Sequence, residues 1–311
     1  MKAARPPKIP VAIRPRAAFA TPFRPLACCT QALAACMVLT AVFSGPVHGQ
    51  IIAEFSGGDS TSVVDAWTGK AGDGWSNAWT RAYTGNFPDS SVKGPASIGY
   101  VSLNGTENYL RTGFKSAPAS AAGSTIARQY TSYGDVNLAD PHEVSFFYRV
   151  VQGTTASIND INIGDLNVIS TGPYSAVTTW RIGVDPTDST WRFGNGTNNV
   201  GSFWLDSNLS VSVGDIYFFR ITIDPASYTY DAYVENVTDN LSFSADGLAF
   251  RTNKAVGGYL NFYSSVLLGD PNFIFDMTSL EIAAVPEPGT AALLGAAGLV
   301  VVALRRSRKP R

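Results

Sequence analysis

Cysteine is almost missing from this chain. Of its 311 residues only Cys28, Cys29 and Cys36 are cysteine. Everything after Cys36 is therefore without disulfides, thiolate zinc ligands or thiol nucleophiles, and its stability has to come from a packed core. Histidine is as scarce. His48 and His142 are the two, and no His-x-x-x-His pair offers a start for a zinc site. Acidic residues are absent from residues 1–49, and basic ones are thin between residues 50 and 285, where 23 acidic side chains face 12 basic ones, a net of about −11. The overall −1 conceals this asymmetry. A body so acidic repels phosphate backbones, which excludes nucleic acid as a partner.

Long apolar runs are also missing from residues 50–285, and the two that exist lie at the ends. The first, Leu26–Phe43, follows a leader carrying Lys2, Arg5, Lys8, Arg14, Arg16 and Arg24. It precedes "SGPVHGQ", where Val47 and Gly49 suit the small-residue positions of a signal peptidase site, so residues 1–49 are expected to be a signal peptide cut between Gly49 and Gln50. The leader is long, and a transit peptide or an uncleaved anchor is the competing reading. The second run, Gly289–Leu304, has 16 uncharged residues, followed by Arg305, Arg306, Arg308, Lys309 and Arg311. As a helix it reaches about 24 Å, a little short of the roughly 30 Å hydrocarbon core. A basic tail without acidic partners favours the cytoplasmic side, so the expected arrangement is a single C-terminal transmembrane helix, tail inside and body outside.

"VPEP" at Val285–Pro288, the short Gly/Ala/Leu/Val stretch and "RRSRKPR" together resemble the PEP-CTERM sorting signal of exported bacterial proteins. The resemblance covers residues 285–311 and implies an exosortase as partner, with Val285, Pro286, Glu287 and Pro288 as the recognition element. It implies an inner-membrane-anchored precursor that ends at the cell surface or outside the cell. Two prolines keep this backbone extended and poor in N–H groups, which suits presentation to an enzyme at the membrane surface.

Residues 50–284 read as one all-β domain. "HEVSFFYRVV" (His142–Val151), "DIYFFRITID" (Asp215–Asp224) and "SYTYDAYVEN" (Ser227–Asn236) are rich in aromatic and β-branched residues. Further strands are expected at Ser97–Leu103, Ser124–Tyr130, Ala176–Val184, Gly258–Ser264 and Asn272–Ala284, and no helical period of useful length interrupts them. Pro225 in "DPAS" predicts a hairpin between the second and third of these segments. In the third, Tyr228, Tyr230, Ala232 and Val234 form the apolar face and Thr229, Asp231, Tyr233 and Glu235 the other, the alternation of an antiparallel sheet covered on one side. About a dozen such strands favour a jelly-roll sandwich over a seven-stranded immunoglobulin unit. "IIAEFSG", "GKAGDGWSNAWT", "TIARQY", the pair "DIYFFRITIDPASYTYDAYVEN" and the closing "FIFDMTSLEIA" resemble the concanavalin A-like lectin and laminin-G sandwich. That resemblance implies a last strand lying beside the first.

No catalytic residue is expected. The Glu-x-Asp-x-x-Glu strand of laminarinase-type glucanases is absent, and Glu54, Glu107, Glu143, Glu235 and Glu281 are scattered. A serine triad would depend on His142 alone, beside Pro141. Trp67, Trp75 and Trp79 fall in or near loops, where aromatic rings could stack on sugars, although core packing competes. Asp160, Asn162 and Asp165 in "SINDINIGD", and Asp185 and Asp188 in "DPTDST", could offer oxygen ligands to calcium, although solvated turns use the same residues. The expected function is that of a non-catalytic, carbohydrate-associated cell-surface or extracellular-matrix protein, with extracellular polysaccharide as its partner. The alternative is a secreted glycan-active hydrolase or lyase whose carboxylates are unrecognised.

Overall fold

A computed structural model describes residues 50–53, 55, 68–84, 89–94, 103–105, 108–114, 122–169, 177–196, 204–252, 256–266 and 273–285. The leader, the apolar run 289–304, the basic tail, Trp67, Glu54, Glu107 and most of Ser97–Leu103 lie outside them.

Among the described residues there are one short helix and fifteen strands, which form two antiparallel sheets. In spatial order the first holds Leu241–Ala249 (β13), Thr229–Asn236 (β12), Ile216–Asp224 (β11), His142–Gln152 (β6), Phe273–Ala284 (β15), Tyr109–Phe114 (β4) and Asp89–Lys93 (β3). Ile51–Ala53 (β1) completes its eight by pairing with β15, Ile51 opposite Ile282. The second sheet holds Trp204–Ser210 (β10), Thr190–Gly194 (β9), Thr178–Val184 (β8), Asn162–Leu166 (β7), Tyr259–Val266 (β14), Ala122–Gln129 (β5) and Thr80–Thr84 (β2). The last strand does border the first. Twelve residues long, β15 serves β4 with Phe273–Met277 and β1 with Leu280–Ile282. The ladder slips between these stretches, where Ser279 adopts a φ of 51°.

Period-two burial explains the two layers. β11 buries Tyr217, Phe219, Ile221 and Ile223, and β6 buries Val144, Phe146, Tyr148 and Val150. Opposite them the second sheet contributes Trp180, Ile182, Trp191, Phe193 and Phe262. Trp191 meets Phe219 edge-on at 5.0 Å and Tyr217 at 5.3 Å, while Phe146 meets Phe262 at 5.2 Å. Each such aromatic contributes roughly 1.5–3 kcal/mol by burial, with about 0.5–1.5 kcal/mol more per well-oriented pair. A core of this kind is what a cysteine-free body requires.

The "DPAS" hairpin forms as expected. Pro225 opens the turn, Asp224 Oδ1 accepts the Ala226 and Ser227 amides, and β11 pairs β12 from Asp224–Thr229 back to Tyr217–Asn236. Tyr228 departs from the expected apolar face. It sits in the turn at a φ of 56° and is 42% exposed, whereas Tyr230, Ala232 and Val234 are buried. Two boundaries also move: the strand expected from Ala176 starts at Thr178, and the "SINDINIGD" segment is not one solvated turn. Thr154 caps a short helix, Thr155–Asn159 (α1), through its hydroxyl on the Ser157 amide, and the chain then enters β7.

Candidate functional site

The outward face of the second sheet carries two neighbouring rows, the first of which alternates large residues with small ones. Register places Trp204 opposite Gly194, Arg181 opposite Gly164, and Asn261 between Gly164 and Ala127. The neighbouring row runs Asp206, Arg192, Gly183, Asn162, Tyr263 and Thr125. Both rows spring from one repeat. "WRIG" in β8 and "WRFG" in β9 send Trp180 and Trp191 into the core, and antiparallel pairing then sets each outward arginine across from the other strand's glycine. A Cβ on Gly194 would lie 3.5 Å from the Arg181 Cβ, and one on Gly183 would lie 3.0 Å from the Trp204 ring. The glycines thus make room for Trp204, whose ring centre lies 4.4 Å from the guanidinium carbon of Arg181 and 4.4 Å from that of Arg192.

Beside this stack is a shallow hollow with free space for about one water, lined by the apolar Ile163 and Leu166 together with Asn162, Gly164, Thr178, Arg181, Asn261 and Tyr263. Its floor is backbone, since a Cβ on Gly164 would stand 2.6 Å from the Trp180 carbonyl oxygen. Arg181 donates through Nε and Nη2 to Asn162 Oδ1 at 3.1 and 2.6 Å, so the acceptor positions the guanidinium. Asn261 donates to the Tyr259 carbonyl at 3.0 Å, yet its own Oδ1 is buried without a partner. Thr178 Oγ1 is also buried and unpartnered. Asn261 is 2% and Thr178 1% exposed. Leaving such a group unsatisfied costs about 1–3 kcal/mol, and a hydroxyl-bearing ligand or a water relieves that cost. Burial raises the Tyr263 hydroxyl above its ordinary pKa, with the Ser265 hydrogen bond opposing and the Asp160 charge reinforcing, so it stays protonated as a neutral polar group.

The residues singled out in the sequence are dispersed. Trp75 and Trp79 belong to the core, 4% and 3% exposed, with the Arg128 guanidinium 4.3 Å from the Trp75 ring centre. Core packing wins over sugar stacking at both. Asp160 accepts from the Ser265 hydroxyl, Asn162 holds Arg181, and Asp165 points to the opposite face of the same strand. There Asp165 Oδ2 accepts from the Thr179 hydroxyl at 2.7 Å and the Gly257 amide at 2.9 Å. Asp185 and Asp188 shape the β8–β9 turn: Asp185 accepts the Thr187 amide and meets Arg192 at 3.2 Å, while Asp188 accepts from Thr190. Among the described residues no group of three or more His, Cys, Asp or Glu gathers as a metal cluster.

His142 is buried with Nδ1 at 2.9 Å from the Asp140 carbonyl, and its Nε2 has no partner. Burial lowers its pKa, against the raising contacts to Asp140. Glu143 and Glu281 are near neighbours on the outward face of the first sheet, far in sequence and strand order from the hollow. Burial raises the Glu143 carboxyl, while Arg220 and the Thr222 hydroxyl act the other way. Glu235 accepts from the Tyr233 hydroxyl on that same face.

Two antiparallel sheets face to face, with the closing strand beside the opening one, place the body among all-β sandwiches. Residues 284–309 match the PEP-CTERM protein-sorting motif, which implies an exported, membrane-anchored precursor sorted by an exosortase. Ala284 and Val285 are the part of that match within the described residues; Pro286, Glu287 and Pro288 lie beyond them. No helix among the described residues is long and apolar enough to cross a membrane. The body is similar in structure to an endo-β-1,4-glucuronan lyase from the fungus Trichoderma reesei, at 11% identity over 66% of this chain and 96% of that one, with a TM-score of 0.42. It is also similar to lectin II from Ulex europaeus (11% identity, 66% and 97% covered, TM-score 0.39). Lectin I from Ulex europaeus, solved with the methyl glycoside of α-L-fucose, gives 14% identity, 64% and 98% coverage and a TM-score of 0.36. Among curated proteins no sequence matches the chain.

Proposed function

We propose that this is a cell-surface or extracellular-matrix protein whose sandwich binds carbohydrate without turning it over, delivered through its C-terminal sorting motif. The observation that carries the carbohydrate reading is the hollow on the second sheet, where the buried Asn261 carbonyl and Thr178 hydroxyl lack partners beside a positioned guanidinium. An unsatisfied carbonyl and hydroxyl beside a guanidinium, in a space of about one water, match a single hydroxyl at the edge of a sugar ring. The non-catalytic part of the reading is supported by the surroundings. None of the residues that line the hollow is a carboxylate, and its Tyr263 stays protonated.

Binding is tested on the mature protein with a glycan array and with titration against β-glucans and alginate. Asn261→Ala is expected to weaken the binding found at least tenfold, a loss of about 1.4 kcal/mol, while folding stability changes by no more than about 1 kcal/mol because the lost carbonyl was unsatisfied. Binding unaffected by Asn261→Ala would move the site elsewhere. Release of reducing ends or unsaturated uronates by the parent would replace the non-catalytic reading with the enzymatic one.

A further inference from the structure

Both ends of the body leave the sandwich at the same place. β1 runs antiparallel to β15 with Ile51 opposite Ile282, so Gln50 lies beside the strand end that delivers Ala284 and Val285. β15 remains in the sheet to its last residue: Ala284 pairs with His142, and the Val285 amide donates to the Pro141 carbonyl at 3.1 Å. The next residue is Pro286, which has no N–H and cannot extend the ladder. In the sequence Glu287 stands two residues after Val285. No linker separates the sorting motif from the folded body. Anything that closes on Pro286, Glu287 and Pro288 must meet the end of the sandwich.

That end carries more acidic than basic side chains. Asp140 is exposed next to Pro141, and Asp224 ends β11, where Ile223 pairs with His142. One step further in lie Glu143 and Glu281, with Arg220 3.9 Å from Glu143, and Arg251 follows β13 at the same end of the sheet. We propose that this end face, around Asp140, Pro141 and Asp224, is a docking surface for the sorting protease and fits a basic surface on it. The inference rests on the exosortase reading of the motif. Anionic lipid headgroups would be repelled by the same carboxylates, which favours a protein contact over a lipid one.

The test follows processing of the full-length precursor by pulse-chase in a host that contains an exosortase. Four chains are compared with the parent: Asp140→Lys, a nine-residue Gly/Ser insertion between Val285 and Pro286, both changes together, and alanines at Pro286, Glu287 and Pro288. Removing complementary charge, or letting the motif drift from the face, should each slow processing about five- to tenfold. In the combined chain Asp140→Lys should add nothing to the insertion, since the face is then out of reach. Thermal melting of the mature Asp140→Lys protein, expected to match the parent, excludes misfolding as the cause. Processing of the insertion chain as fast as the parent or faster would overturn the docking face, because the motif would then be read as a free tail. Acceleration by Asp140→Lys would place lipid, not protease, at this end. If the three alanines leave processing unchanged, the sorting reading itself falls, whichever way the other chains behave.

Discussion

Replacing Asp276 with alanine is expected to lower the folding stability of the body by about 3–5 kcal/mol, the range found when one partner of a buried ion pair is removed. Asp276 sits on the outward face of β15 with no exposed surface, in register with Arg111 on one neighbouring strand and Arg149 on the other. Arg111 reaches it through Nε at 2.7 Å and Nη2 at 2.9 Å, and Arg149 through Nη2 at 2.6 Å and Nε at 3.1 Å. Tyr109 lies under both guanidinium groups, 5.8 and 5.5 Å from its ring centre, and burial leads the causes that push its hydroxyl up to about 12. One carboxylate therefore bridges two largely buried cations across three strands of the first sheet and offsets one of their two charges. Without it, like charges face each other in a poorly solvated layer. Asp276→Asn keeps the shape and removes the charge, so it should retain little of the lost stability. Urea unfolding of both variants measures the effect; losses under about 1 kcal/mol would mean that other groups hold the arginines.

The second large effect concerns pH. Burial raises the Asp165 carboxyl to about 7, against lowering hydrogen bonds led by that from Thr179 and followed by that from Gly257. The unfolded chain binds that proton with an ordinary pKa near 3.8. Because the folded value is the higher one, the folded state keeps a proton that the unfolded state has already released. Stability from this group is complete below about pH 4, declines as pH rises from about 4 to 7, and is lost above that, a change of up to about 4 kcal/mol. Asp165→Asn retains an acceptor for Thr179 and Gly257 without the charge. It should remove this slope and leave the protein more stable than the parent at pH 8. Taking the difference between the two stability curves cancels His142, which is unchanged in both. Parallel curves from pH 4 to 8 would show that Asp165 is not held protonated.

Strand period and composition made the architecture readable from the amino acids alone. Val144, Phe146, Tyr148 and Val150 alternate with solvent-side residues over a long stretch, so β6 is announced by its own sequence. The weaker strands are announced only by their neighbours. Leu241–Ala249 is largely exposed at an edge and alternates little, and Asn162–Leu166 carries Asn, Gly and Asp where a strand usually carries branched residues. Asp165 is tolerated there because Thr179 and Gly257, far away in the chain, supply its hydrogen bonds. The tryptophans at 75 and 79 look like loop aromatics until Phe55, Phe262 and Arg128 pack on them. The candidate site could have been found in part. The repeated Trp-Arg-apolar-Gly of β8 and β9 encodes inward tryptophans and outward arginines without any tertiary information. What it cannot encode is the register that brings Asn261 and Thr178 to the same hollow, since that is set by pairing among β7, β8 and β14.

The central claim is that this sandwich is exported and then separated from its C-terminal tail by sorting, and the intact mass of the surface-exposed protein tests it most directly. In a host with an exosortase, the mature chain is expected to begin at Gln50 and to end within or just before Pro286–Pro288, having lost the apolar run and the five basic residues that follow it. Recovery of a surface protein that still ends at Arg311 would contradict the account and reduce the tail to a permanent anchor.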